Sequence, residues 1–508
     1  MNKTNECARP RVAYSTSRGT RGVRANQWLS LALMAVASMA CTQEIDAAPA
    51  RAAAGVFANS ASTRDADVTA DVATLLSAAR GAPAPICALA ARAVGTTNWW
   101  TESTDAPRTP LASAARAQQT GLGTTAGDDQ LSESWNRLTE ADHTLLLSNL
   151  HSADLCVREI AVRLLATERR GQAAGIIAAK LVDQLQVSDA AVREVVTFGL
   201  GLLAPSTATE ALMRRLRDDS AGVRANAAWA LGRIEDGKAL SGLVAVANDP
   251  NSDVRTAAIG ALGRLDSTRA IPALLRALQQ DSVARVRRVA AWALGQLHDE
   301  STASSALAGA LSSALSRDGD VSVREMCAWA LGELNATSAA DRLIDAAERD
   351  RSPRVRETAV WALGEIESAG SAAALGTIIE RDTSLEVRRT AAWALGQLDL
   401  RTAPKGLVAA LTDRDDRMRL HASWALSEIR DPSTVSALKA ALAKETHPQA
   451  RRAQLRGILS AGGRTDAMMA ELLQSNDPMV REAAIRGVAG GHRVDPWPWP
   501  WPRPRPFP

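Results

Sequence analysis

An all-α solenoid of about eleven two-helix repeats is the fold this sequence predicts, on three observations. The first is a phrase that recurs between residues 218 and 427: an Asp, followed six residues later by an Arg that opens a block such as VRRTAAWALG. The pairs are Asp218/Arg224, Asp249/Arg255, Asp281/Arg287, Asp318/Arg324, Asp350/Arg356, Asp382/Arg388 and Asp413/Arg419, and successive Arg are 31, 32, 37, 32, 32 and 31 residues apart. A period of that size marks a stacked array, in which each unit buries its apolar face only against its neighbours. The second is composition: the chain is rich in Ala, Leu and Arg, with one Tyr and three Phe, which favours helix over strand. The third is periodicity within a unit. Val387, Ala391, Ala394, Leu395 and Leu398 fall on one face at about 100° per residue, giving the second helix a buried stripe.

Taken in order, residues 1–40 read as a signal peptide. Lys3 and the Arg residues at 9, 11, 18, 21 and 24 precede an apolar stretch, Trp28 to Ala40, that is too short to span a bilayer comfortably. Cys41 follows Ser38-Met39-Ala40 directly, which makes it a candidate lipid anchor; ordinary cleavage beside an incidental Cys is the alternative. Residues 41–64 are expected to be a linker, 65–97 a helical hairpin turning at APAP, and 98–130 a low-complexity loop. The solenoid is placed at 131–490, where weaker copies of the phrase at Arg158, Arg193, Arg451 and Arg481 complete the eleven units. Residues 491–508 form a Pro/Trp/Arg-rich tail with Pro at every second position from Pro496 to Pro508, a pattern that excludes helix and favours extended polyproline. Of the five cysteines, Cys7 and Cys41 belong to the targeting region. Cys87, Cys156 and Cys327 lie far apart on apolar stretches and are expected to act as small buried hydrophobes, not as a disulfide framework.

Paired helices at this period, the Asp before the second helix and the VRxxAAxALGxI pattern within it resemble HEAT repeats, in particular the short repeats of the phycobilisome-lyase-like family. The resemblance implies a right-handed solenoid whose second helices line the concave face. It also implies that the Asp and Arg form a structural ladder, the Asp capping the second helix and bonding to Arg and backbone of adjacent layers.

The tryptophans are the candidates for partner binding. Trp229, Trp292, Trp329, Trp361, Trp393 and Trp424 each fall five residues after the repeat Arg, in a slot off the buried stripe. The same slot holds Gly260 in one interior unit, Phe198 before the run, and Arg163, Arg456 and Arg486 towards the ends. Two readings stand side by side: an aromatic ladder along an inner groove, or rings lying sideways to fill the space left by Ala and Gly. The neighbouring charges are mixed, with Arg233, Arg264 and Arg288 followed by Glu325, Glu333, Glu357 and Glu365. With a net charge of +3, this suits a protein or peptide partner and argues against a nucleic acid, which wants a uniformly positive track.

No chemistry announces itself. The six His, at 143, 151, 298, 421, 447 and 492, show no metal-ligand spacing. The His-Glu dipeptide of the iron hydroxylases built on HEAT repeats is absent, as are GxSxG and the phosphate-binding GxxxxGK[ST]. No cofactor and no catalytic residue is expected. The sequence therefore predicts an exported scaffold or adaptor of the periplasm or cell envelope, with no catalysis of its own. A bilin-lyase-like enzyme or enzyme subunit is one alternative. The other is an envelope-tethered spacer held at a membrane through Cys41 or the C-terminal tail.

Overall fold

A computed structural model of the chain describes residues 72–82, 138–168, 172–297, 303–461 and 466–488. The signal peptide, Cys41, the linker, the whole 98–130 loop, the second half of the expected hairpin and the C-terminal tail lie outside the described residues.

Within them the chain is helical throughout. A short α1 (Val72–Ala79) precedes eleven helix pairs. They are α2 (Glu140–Asn149) with α3 (Leu155–Leu165), α4 (Gln172–Gln184) with α5 (Ala190–Leu203), α6 (Thr209–Arg215) with α7 (Ala221–Ile234), and α8 (Leu240–Val246) with α9 (Ser252–Arg264). Next come α10 (Ile271–Gln280) with α11 (Ala284–Gly295), α12 (Ala303–Arg317) with α13 (Val321–Glu333), α14 (Ala340–Arg349) with α15 (Pro353–Glu365), and α16 (Ala372–Arg381) with α17 (Leu385–Gln397). The last are α18 (Lys405–Ala409) with α19 (Asp416–Ile429), α20 (Val435–Leu442) with α21 (Pro448–Ala461), and α22 (Asp466–Leu473) with α23 (Pro478–Val488).

Each odd-numbered helix packs on its own first helix and on the odd-numbered helices of the adjacent units. This is the only way such units bury their stripes, and the core accordingly runs as one continuous cluster from Val72 to Ile458. The Leu of each WALG block (Leu231, Leu294, Leu331, Leu363, Leu395) is fully buried between layers. Second helices end in the left-handed conformation at Ala204, Glu235 and Arg430, at φ 51–57°, which turns the chain back into the next unit.

The 37-residue step between Arg287 and Arg324 is absorbed without disturbing the stack, because α12 runs to 15 residues where α10 and α14 have ten. The ninth unit is the irregular one. Pro404 starts a five-residue α18, and a Cβ on Gly406 would stand 2.3 Å from the Gly376 carbonyl oxygen, so only glycine fits that crossing.

Two expectations change here. The repeat Asp is not the helix cap: the capping position falls two residues later, at Ser220, Asn251, Val283, Asp320, Ser352, Ser384 and Asp415. The second correction concerns Cys156, expected to be a small hydrophobe, which is disulfide-bonded. Cys327 is buried and free.

Candidate functional site: the face of the second helices

The repeated Asp and Arg hold neighbouring units together. Arg224 Nε and Nη2 donate to both carboxylate oxygens of Asp249 in the following unit, at 2.8 and 3.0 Å, while its Nη1 donates to the Asp218 carbonyl of its own unit at 2.9 Å. The same fork joins Arg193 to Asp218, Arg255 to Asp281, Arg287 to Asp318, Arg324 to Asp350 and Arg356 to Asp382. Each Asp also accepts the N–H of the capping residue two positions on, as Asp382 does from Ser384 at 2.7 Å. Thus one carboxylate ties the turn inside its unit and receives the guanidinium of the unit before.

Burial raises the pKa of these carboxyls, but the guanidinium fork and the backbone N–H outweigh it. The result is lowered values at Asp249, Asp281, Asp318 and Asp350, and about 2 at Asp218. At Arg388 the fork loosens to a single contact with Asp413 at 3.3 Å, at the junction with the irregular ninth unit. Beyond it, Arg419 forks onto Glu445 at 2.7 and 2.9 Å, and this charge-assisted pair brings the Glu445 pKa to about 2. Glu445 stands six residues before Arg451, so the spacing was present in the sequence and only the Asp-to-Glu change hid it. Arg451 in turn pairs with Asp477.

The tryptophans pack between units, the second of the two readings of their slot, and burial removes Trp229, Trp329, Trp393 and Trp424 as candidate partner anchors. Trp229, Trp329, Trp393 and Trp424 are buried, Trp393 to 1 % exposure; Trp292 and Trp361 are half-buried. Each ring lies over a glycine of the preceding second helix. A Cβ added to Gly201, Gly263, Gly295, Gly332, Gly364 or Gly396 would meet Cζ3 of the next Trp at 2.3–3.2 Å. Where the next unit has Gly260 in place of Trp, the helices close up, and a Cβ on Gly232 would stand 2.6 Å from Ala261 Cα. Where a Trp follows, the equivalent distances run from 2.8 Å at Gly263 to 3.2 Å at Gly332. The glycine and the ring are therefore one device that spans two units. Arg233 lies over the Trp229 ring and Arg264 over that of Trp292, at 5.5 and 5.6 Å, and Phe198 stacks on Trp229 at 5.4 Å.

What remains on this face are the positions one and nine residues after each repeat Arg, and these vary. They read Ala225 and Arg233, Thr256 and Arg264, Arg288 and Gln296, Glu325 and Glu333, Glu357 and Glu365, then Arg389 and Gln397. Some charges are matched between units: Arg354 to Glu325 at 2.7 Å, Arg389 to Asp415 at 2.8 Å, and Arg456 to Glu428 at 2.7 Å. Others are held against their preference. Burial, then the neighbouring carboxylates of Glu386 and Glu325, push the Glu357 pKa up, and burial lowers that of Arg288, whose Nε has no hydrogen-bond partner. Among the described residues no group of His, Cys, Asp and Glu is placed to hold a metal ion. No helix there is long and apolar enough to cross a membrane.

Comparison with known proteins agrees with this architecture. The HEAT-repeat family model matches at residues 178–255, 240–314, 308–383 and 372–458, together more than half of the chain. No curated protein matches. Among solved structures, the chain is similar to an engineered protein (22% identity, TM-score 0.36, covering 68% of this chain and 98% of that one). It is also similar to YibA of Escherichia coli (21%, 0.41, covering 54% and 97%). A third similar structure is that of Kap95p, whose binding induces the switch loops of RanGDP to adopt the GTP-bound conformation (14%, 0.48, covering 83% and 66%). The chain belongs to the HEAT-repeat family.

Proposed function

We propose that this protein is an exported scaffold that binds a protein or peptide partner along the face of its second helices and carries no catalysis of its own. The fold is of the kind that serves protein-binding scaffolds, and HEAT-repeat proteins commonly bind proteins. One observation carries the reading to this face. Positions that build the stack repeat from unit to unit, whereas those one and nine residues after the Arg change from Arg233, Arg264 and Arg288 to Glu325, Glu333, Glu357 and Glu365. A purely structural array has no use for that change of sign, and a crowded carboxylate such as Glu357 lowers stability, a cost that proteins retain where function needs it. Second helices also pack on one another more extensively than first helices do.

The partner this face fits is a segment with charges of both signs, seated against the Arg-bearing and Glu-bearing units in turn. Export rests on the 1–40 segment, and tethering on Cys41 or the Trp/Pro tail. The phycobilisome-lyase-like subtype rests on the short period of the paired helices, the Asp before the second helix and the VRxxAAxALGxI pattern.

Capture of the partner by immobilised protein tests the reading. Replacing Glu357 and Glu365 together by Gln is expected to cut capture at least about tenfold, the effect of losing interface charges worth about 1.4 kcal/mol, while the melting temperature holds or rises. Undiminished capture by a folded double variant, or by one with Glu357 and Glu365 changed to Arg, contradicts it.

A further inference from the structure

The turn that follows α13 carries residues that the stack does not call for. After a second helix the chain turns through a left-handed residue, which is Ala204, Glu235, Asp266, Glu367 or Arg430 in other units and Asn335 here, at φ 49°. Asn tolerates this region well, but that spread of side chains shows that the turn does not select it. Two residues on, Thr337 opens a short 3-10 helix, Thr337–Ala339. Gly237, Thr268, Ala369 and Pro432 open the corresponding helices elsewhere, so a hydroxyl is not required there either. Together Asn335, Ala336 and Thr337 spell Asn-x-Thr, the acceptor sequence for N-linked glycosylation. It is the only such triplet among the described residues; Asn2-Lys3-Thr4 falls in the segment read as signal peptide.

The backbone presents this triplet at a corner of the surface. Asn335 N–H donates to the Gly332 carbonyl and Ala336 N–H to that of Leu331, both at 3.0 Å, which closes the helix. Ala336 then stands at φ −77°, ψ 74°, and Thr337 N–H donates to the Asn335 carbonyl at 2.9 Å. This is an inverse γ-turn, which reverses the chain within three residues. The equivalent residues Asp236, Ser267 and Asp431 are more extended, at ψ 115–120°. Glu333, Asn335 and Thr337 are all exposed. The turn also lies about 17 Å along the helix from Arg324 and its fork, so a group attached there leaves the ladder untouched.

We propose that Asn335 is an N-glycosylation site, modified by an oligosaccharyltransferase with a polyisoprenyl-pyrophosphate oligosaccharide as donor. Asn335 Nδ2 attacks the anomeric carbon of the reducing-end sugar. As the N–C bond forms, the bond from that carbon to the pyrophosphate oxygen breaks. The lipid pyrophosphate leaves with the electron pair, and one amide proton passes to a base of the transferase. The Thr337 hydroxyl offers the hydrogen-bonding group that marks the acceptor, and Glu333 offers a carboxylate for a cationic group of the transferase to engage. Such sites are modified in exported chains, so this inference rests on the export reading.

The test expresses the full chain, with its own residues 1–40, in a bacterial host whose periplasm carries an oligosaccharyltransferase and its lipid-linked donor. Periplasmic and cytoplasmic fractions are separated, and the tryptic peptide 325–342 is analysed by mass spectrometry. The expected result is periplasmic chain in which this peptide carries the oligosaccharide on Asn335. Asn335→Gln and Thr337→Ala are expected to abolish the added mass, Thr337→Ser to keep it, and Glu333→Gln to cut occupancy several-fold. Each variant is expected to melt with the parent, which separates a lost acceptor from a lost fold. Unmodified peptide from periplasmic chain overturns the proposal and leaves export standing. Chain found only in the cytoplasm contradicts the export reading, and the site falls with it. Added mass that persists in Asn335→Gln overturns the assignment to this residue.

Discussion

Trp393 shows how one side chain serves two units. Its ring closes the space above Gly364 of the preceding second helix and is 1 % exposed. Deleting it leaves a cavity between layers that Ala-rich helices cannot fill by rotamer change, so Trp393→Ala is expected to cost about 3–5 kcal/mol in equilibrium unfolding. Gly364→Ala attacks the same contact from the other side. Its new Cβ would stand 2.7 Å from Cζ3 of Trp393, and overpacking of this kind costs about 1–3 kcal/mol. A loss under about 1 kcal/mol for both would mean that the ring is not held as described. The sequence made the slot legible as lying off the buried stripe. It did not show that the slot is buried, because that depends on a glycine in another unit some thirty positions earlier.

The same limit applies to Asp and Arg. Their six-residue spacing was plain, yet a guanidinium six residues beyond a carboxylate reaches its own unit's carbonyl and the next unit's carboxylate, and only the stack decides between them. Cys156 was the least legible, since a lone cysteine on an apolar helical stretch reads as a core residue and nothing in its spacing marks a crosslink.

At the level of the helix pair, the ladder makes stability depend on acid. Asp218 and Glu445 have folded pKa values of about 2 against ordinary values of 3.8 and 4.5. A depressed acid stabilises the fold fully above its unfolded value and loses that contribution as pH falls towards the folded one. The ladder therefore weakens between about pH 4.5 and pH 2. Glu194 and Glu357 act in the opposite sense. Burial raises both, so their charged forms oppose folding at neutral pH, and that penalty is relieved as pH falls towards 4.5. Denaturant unfolding followed against pH is expected to show stability holding or rising slightly from pH 7 to about 5, then falling steeply below about 4. A flat profile from pH 5 to 2 would contradict the ladder's role. Replacing both Arg324 and Asp350 with Ala should flatten the acid limb, because it removes a lowered carboxyl together with its guanidinium partner.

For the molecule as a whole, the sequence carried the repeat count, the two-helix unit and the one long step. All three follow from periodicity, which survives any local error. What it could not carry was the division of labour across the second-helix face, since that depends on which positions neighbouring layers cover. Once the forks and rings are assigned to holding the stack, the residues left are those that differ between units. Arg233, Arg264 and Arg288 lead into Glu325, Glu333, Glu357 and Glu365, and a partner reading them would have to lie across several units at once. Such an interface spreads its energy over repeated small contacts, so single exposed charges should each change affinity modestly, by about 0.5–1 kcal/mol.

Hydrogen exchange of the full chain, alone and with its captured partner, tests this division of labour most directly. New protection is expected only on the odd-numbered helices from α7 to α17, strongest where Arg288 gives way to Glu325, with the even-numbered first helices unchanged. Protection on the first helices α8 to α16, with the second-helix face unaffected, would contradict it.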